Sequence, residues 1–163
     1  MADTLAAYYR ASLEDYNRAH GLSDQSQTIS NQRKVVTEFL HSSKELSRFR
    51  VLEFIDDGLT GTNTDRPQFQ AMIKAAQQGQ ISCIVVKDLS RFGRNYLDVG
   101  DYLEHIFPFL GVRVIAINDG YDSKQYEGKT SGMDIAFRNF IYENYSRDLS
   151  IKVRSAMQAR MKE

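Results

Sequence analysis

The sequence predicts an α/β fold: a mainly parallel central sheet with flanking helices, extended by a long C-terminal helix. Three observations carry this. Short apolar runs at 5–9, 82–86 and 112–117 are separated by longer segments whose apolar residues recur at helical spacing. Strands alternating with helices in this way argue for parallel strands joined by crossovers. From 133 to the end the chain contains neither proline nor glycine, and its apolar residues keep a helical period. The 163 residues suit one domain with a substantial core.

The elements follow in order. Leu5 to Tyr9 reads as a short buried strand running into Tyr8-Tyr9-Arg10-Ala11-Ser12. Strand alternation would turn Tyr8, Arg10 and Ser12 to one side, setting a hydroxyl beside a fixed cation. Residues 13–27 are polar, include Gly21 and read as a loop. Thr28 or Ser30 caps a helix to about Leu40, with Val35, Val36, Phe39 and Leu40 as its apolar stripe. Arg50 to Ile55 is the second strand, and Asp56 to Arg66 reads as a turn with Gly58 and Gly61. Pro67 suits the first turn of a helix carrying Phe69, Met72, Ile73 and Ala76.

The continuous apolar run Ser82–Val86 has the character of a central parallel strand. A helix from about Asn95 to Leu110 follows, with Leu97, Leu103, Ile106 and Phe107 on one face and Gly111 closing it. Val112 to Ile117 is the fourth strand, and Asn118 to Ser131 reads as a loop. The last helix, some 30 residues, would be about 45 Å long, more than a small domain needs. Its first half carries Ile135, Phe137, Phe140, Ile141, Tyr142 and Tyr145. It is expected to project and bury that face against another subunit; the alternative is a helix folded back over the sheet. The expected division is therefore an α/β core over 1–131 and a long helix over 132–163.

Composition narrows the class. No stretch approaches the roughly 18 apolar residues of a membrane span, and the N-terminus lacks the basic and apolar regions of a signal peptide. The single cysteine, Cys83, rules out an intramolecular disulfide and reads as inert core, so a cytoplasmic location is expected. Net charge is zero, yet residues 147–163 hold five basic and two acidic side chains, a net of +3 on the last element. A solvated helix end is the plain alternative.

In a parallel sheet the functional site lies beyond the carboxyl ends of the strands. Here those ends lead into Arg10–Ser12, Asp56-Asp57 and Lys87-Asp88-Leu89-Ser90-Arg91. Ser90-Arg91-Phe92-Gly93-Arg94 places Arg91 and Arg94 three positions apart, near enough to converge on one anion. Arg10 comes from the neighbouring strand end, Arg66 from the loop before a helix and Arg147 from the long helix. Several guanidiniums aimed at one point suit a phosphodiester, whose non-bridging oxygens they can bind bidentately. His20, His41 and His105 are isolated and show no metal-ligand spacing, and there is no Walker-type phosphate loop. The residues point to a serine activated by arginines, with neither metal nor cofactor expected. Two other readings fit the same residues: a non-catalytic DNA-associated oligomerisation module, and a small-molecule phosphate-ester enzyme of α/β class.

These segments, in this order, resemble the catalytic domain of serine site-specific recombinases, the resolvase/invertase family, and above all its large transposon- and integrase-type members. Tyr8-x-Arg10-x-Ser12 matches the nucleophile motif. Thr28-Ile29-Ser30-Asn31-Gln32 is similar to the family's Ser-Ile-x-x-Gln segment. Asp57-Gly58-Leu59-Thr60-Gly61 with Asp65-Arg66-Pro67 is similar to the Asp-Gly-x-Ser-Gly…Arg-Pro loop. Lys87 to Arg94 matches the arginine-pair segment, and Arg147 falls where the long helix supplies another arginine. The resemblance implies a resolvase-like fold and attack by Ser12 on a DNA phosphate, giving a 5′-phosphoserine link, strand exchange and religation without ATP or metal. It implies that Arg10, Arg91 and Arg94 hold the phosphate, that Arg66 and Arg147 support the site, and that Gln32 orients groups near it. Tyr8, Asp57, Thr60 and Ser90 are candidate supporting residues. The implied partners are double-stranded DNA recombination sites and further copies of the chain, a homodimer assembling to a tetramer on synapsis. The family's DNA-binding domains are expected beyond residue 163. Ser90 stands where many members have aspartate, and Ser146 where many small resolvases have glutamate, so the resemblance assigns no general acid or base.

Overall fold

The computed structural model describes residues 3–12, 28–58, 66–93 and 96–126. The chain divides into two compact units, Met1–Gln125 and Tyr126–Glu163; the architecture below is that of the first. The expected loop over 13–27 and the expected helix over 132–163 lie outside the described residues.

Five strands form one sheet in the order β2-β1-β3-β4-β5. They are β1 (Thr4–Ser12), β2 (Arg50–Gly58), β3 (Cys83–Val86), β4 (Arg113–Ala116) and β5 (Tyr121–Asp122). The β1–β2, β1–β3 and β3–β4 pairs are parallel, and β4–β5 is antiparallel. The apolar run of β3 is buried at every position, as a strand covered on both faces requires. Three sequence expectations change. The first strand runs through Ser12 and does not turn after Tyr9. Asp56, Asp57 and Gly58 belong to β2, because pairing with Arg10, Ala11 and Ser12 carries the ladder through them. The polar segment after residue 117 contains β5, held to β4 by Ile115↔Asp122 and Ala116↔Tyr121.

Helix α1 (Ile29–Ser42) packs on one face of the sheet. Thr28 caps it, its Oγ1 accepting from the Asn31 amide at 3.2 Å, a contact type that contributes about 1 kcal/mol. Val36 and Leu40 bury against Leu5, Ala7, Tyr9, Cys83, Val85 and Ile115. The same stripe begins one turn earlier with Gln32, which is fully buried. The opposite face holds an aromatic core. The Tyr8 and Phe69 rings meet edge-on at 5.3 Å and Phe69 and Tyr102 at 5.1 Å, and Phe92 and Phe107 are tilted at 5.4 Å.

Helix α2 (Pro67–Gln77) supplies Phe69, with Pro67 in the first turn as expected. The helix expected from Asn95 to Leu110 is α3 (Tyr96–Asp101), a π-helical turn (Tyr102–Ile106) and α4 (Phe107–Leu110). Pro108 explains the interruption. It has no N–H for the carbonyl four residues back, and its ring would press on that carbonyl; a wider turn, with the Phe107 amide bonded to the Tyr102 carbonyl, relieves the conflict. Gly111 ends α4 at φ 69°, the left-handed conformation that glycine adopts without steric cost.

Candidate active site

The carboxyl end of β1 outruns its neighbour on one side. β3 pairs with Leu5, Ala6 and Ala7 only, whereas β2 follows β1 as far as Ser12. Beyond Ala7 the β3 side therefore needs other hydrogen-bond partners, since buried peptide groups are nearly always satisfied. Gln32 provides them for Arg10. Its Oε1 accepts from the Arg10 amide at 3.2 Å and its Nε2 donates to the Arg10 carbonyl at 2.9 Å. The side chain thus acts as a short strand grafted from a helix. The Arg10 carbonyl also accepts from the Arg91 guanidinium at 2.7 Å.

Arg91 lies in the 3₁₀ turn Leu89–Arg91, just past β3, and is 4% exposed. Asp88 caps this turn. Its Oδ1 accepts from the Ser90 amide at 3.1 Å and from the Ser90 hydroxyl, and faces Arg91 Nε at 3.4 Å. The Leu89 amide donates to Asp119 Oδ2 at 2.7 Å, tying the turn to the segment after β4. The neighbouring Lys87 is buried and donates to Asn31 Oδ1 at 3.3 Å.

Arg66 precedes α2. Its guanidinium donates to the carbonyl of Phe92 and, at 3.4 Å, to that of Arg91, and it lies 4.1 Å from the centre of the Phe69 ring. Arg66 therefore braces the backbone that carries the arginine pair. Asp56 braces the start of the helix that Arg66 precedes. Its two oxygens accept from the Gln68 and Phe69 amides at 3.0 and 2.9 Å, and Oδ2 also accepts from the Tyr8 hydroxyl at 2.7 Å. A carboxylate set against the open amides of a helix start is well placed both as acceptor and as countercharge. Burial pushes the Tyr8 hydroxyl well above the ordinary phenol range. Its bond to Asp56 pushes the same way, and Arg66 and Arg10 only partly oppose the two. Tyr8 therefore keeps its proton at neutral pH and serves as a donor.

Arg10, Arg66, Arg91 and Gln32 thus converge on one end of the sheet, and Tyr8 and Ser90 join them through Asp56 and Asp88. Asp57 is exposed on β2, in register with Ala11. Ser12 closes β1 opposite Gly58. Its side chain, together with Thr60, Arg94 and Arg147, lies outside the described residues. Sequence reasoning placed Asp56 and Asp88 at strand ends but proposed a supporting role only for Asp57, and it passed over Asp119. Two signals were present. The α2 start has no Ser, Thr, Asp or Asn in the capping position, which Arg66 holds, so a remote acceptor was required. Asp88-x-Ser90 has the spacing of an aspartate that caps the amide two residues on.

A family model described as the resolvase N-terminal domain matches residues 5–163. The chain belongs to the resolvase N-terminal domain family. Solved structures agree with this at the level of fold. The N-terminal catalytic domain of TP901-1 integrase is similar with a TM-score of 0.61 at 17% identity, over 90% of this chain and 98% of that one. A resolvase-family site-specific recombinase from Streptococcus pneumoniae gives 0.60 at 21% identity, over 98% and 99%. The catalytic domain of ISC1926 TnpA, an IS607-like serine recombinase, gives 0.51 at 18% identity, over 98% and 99%. No curated protein matches the chain. Among the described residues of this resolvase-family domain, no helix is long and apolar enough to cross a membrane.

Proposed function

We propose that this resolvase-family chain is the catalytic domain of a site-specific DNA recombinase of a mobile element, cutting and rejoining DNA by transesterification at Ser12. The observation that carries the reading is the junction just before Ser12. There the Arg10 peptide is clamped by Gln32 and Arg91, and Arg66 braces the loop that bears Arg91. Ser12 Oγ attacks the phosphorus, and the bond to the 3′ oxygen breaks. A 5′-phosphoserine link and a 3′-hydroxyl result. Reversal of the attack by an exchanged 3′-hydroxyl rejoins the strands, with the bond energy kept in the phosphoserine. Arg10, Arg91 and Arg94 hold the non-bridging oxygens and stabilise charge that grows in the transition state. Arg66 and Arg147 support them, and Gln32 acts through the Arg10 backbone. No cofactor enters this scheme.

Residues 1–131 form the catalytic core in this reading. The helix over 132–163 mediates assembly of a homodimer into a synaptic tetramer and runs along the DNA. The protein works in the cytoplasm. Incubating full-length protein with its recombination-site DNA and resolving the products on a denaturing gel tests the reading. The expected result is a covalent protein–DNA adduct that Ser12→Ala abolishes. DNA binding without any adduct would favour a non-catalytic module, and an adduct that persists in Ser12→Ala would overturn the role of Ser12.

A further inference from the structure

We propose that Asp88 is a positioning residue for strand cleavage: it sets the plane of the Arg91 guanidinium, and the Ser90 hydroxyl fixes the carboxylate that does so. The inference rests on the recombinase reading above and extends it to residues with no role there. Asp88 is the first extended residue past the buried Lys87 and caps the turn that contains Arg91. Its Oδ1 accepts from both the amide and the hydroxyl of Ser90, and two donors on one oxygen hold the side chain in a single rotamer. The carboxylate then faces Arg91 with both oxygens: Oδ1 lies 3.4 Å from Nε and Oδ2 lies 3.5 Å from one terminal nitrogen.

A fork facing both oxygens of a carboxylate is constrained in orientation as well as in position. The remaining terminal nitrogen is thereby aimed at the Arg10 carbonyl, 2.7 Å away and two residues before Ser12. The Nε contact is an ion pair and not a hydrogen bond, and the bond from the terminal nitrogen to Oδ2, at 3.5 Å, is at the long end of the range. The carboxylate therefore orients the cation while spending its shortest contacts on Ser90. Arg91 is almost wholly buried and Asp88 is 20% exposed, so the pair acts in a medium where a misdirected charge is costly. In a transesterification whose transition state gathers negative charge on phosphate oxygens, an arginine held at a fixed angle needs little rearrangement as that charge develops.

The test uses full-length protein, recombination-site DNA and single-turnover adduct formation at saturating protein. Site affinity and melting temperature are measured in parallel. Asp88→Asn keeps an acceptor for the Ser90 amide and removes the charge facing Arg91. It is expected to slow cleavage about 10- to 100-fold, the scale of a misplaced catalytic group, with affinity unchanged and the protein still fully folded at the assay temperature, any fall in melting temperature being that of a buried cation losing its partner. Ser90→Ala is expected to slow it less. In an Arg91→Lys background, which has no fork to orient, Asp88→Asn is expected to cost less than about twofold more, the sign of two residues acting as one unit. Cleavage by Asp88→Asn at the unsubstituted rate would overturn the proposal. So would a loss of affinity and stability in step with rate, or full multiplication of the two substitutions. Failure of the recombinase reading is distinct: the unsubstituted protein would form no adduct, or Ser12→Ala would still form one.

Discussion

Replacing Gln32 by leucine tests how the end of β1 is held. Gln32 is fully buried, and both polar atoms of its amide are bonded to the Arg10 peptide. The substitution orphans the Arg10 amide, at about 1–3 kcal/mol, and takes one of two donors from the Arg10 carbonyl, at about 1 kcal/mol. Leucine is close in size and continues the apolar stripe of Val36 and Leu40, so part of that loss returns as apolar contact. The expected net destabilisation is about 1–2 kcal/mol. For a chain of this length that lowers the melting temperature by about 2–8 °C. Thermal unfolding followed by circular dichroism measures it directly. Cleavage should also slow, because the strand end that carries Ser12 loses its clamp on the β3 side. A melting temperature within about 1 °C of the unsubstituted protein, with an unchanged cleavage rate, would refute the argument that the glutamine completes the sheet.

Other substitutions and conditions probe the rest of the framework. Tyr8→Phe removes the donor to Asp56 inside the aromatic core. It should cost about 2 kcal/mol, the range of a bond to a carboxylate, read as a lower urea midpoint at constant slope. Burial pushes the Cys83 thiol up to about 12. A thiol reagent at pH 8 should therefore leave the folded protein unlabelled and react at once in denaturant, and fast labelling of the folded protein would contradict the assigned burial. At the β4–β5 edge, burial pushes the Asp122 carboxyl up. The Arg113 fork and the Lys124 amide outweigh it and hold the group below its ordinary 3.8. A carboxyl depressed by folding stabilises the fold above its unfolded value and loses that contribution as pH falls through the folded one. Stability should thus decline below about pH 3.8, and Arg113→Gln should flatten that decline in acid titrations of the melting temperature.

Much of this architecture is legible along the chain. The continuous apolar run of β3, the Thr28 cap, Pro67 at a helix start and Gly111 at a helix end each act over a few residues, and each occupies its expected place. The rule that sites gather beyond strand ends pointed to Arg10 and Arg91, and the loop before a helix added Arg66; the fold does draw the three together. What escaped depends on long-range pairing. β2 continues through Asp56 and Asp57 only because β1 lies beside it, so a polar stretch that resembles a turn becomes strand. Gln32 reads as a break in an apolar stripe until a strand end lacking a neighbour is set against it. Asp56 and Asp88 are acidic residues like many others in sequence. Their importance arises from the amides and guanidinium that meet them in space. The π turn at Tyr102–Ile106 comes from Pro108, a local signal whose accommodation could equally have been a kink.

Mapping the trapped intermediate shows whether Ser12 carries the covalent link to DNA. Full-length protein is quenched during reaction with recombination-site DNA, the DNA is digested to a nucleotide stub, and tryptic peptides are analysed by mass spectrometry. Trypsin cleaves after Arg10 and Arg18, so Ser12 lies on the peptide 11–18. This peptide is expected to bear a 5′-linked nucleotide at Ser12, and Ser12→Ala is expected to yield no modified peptide. A nucleotide on any other hydroxyl, Ser90 included, would contradict the role of Ser12.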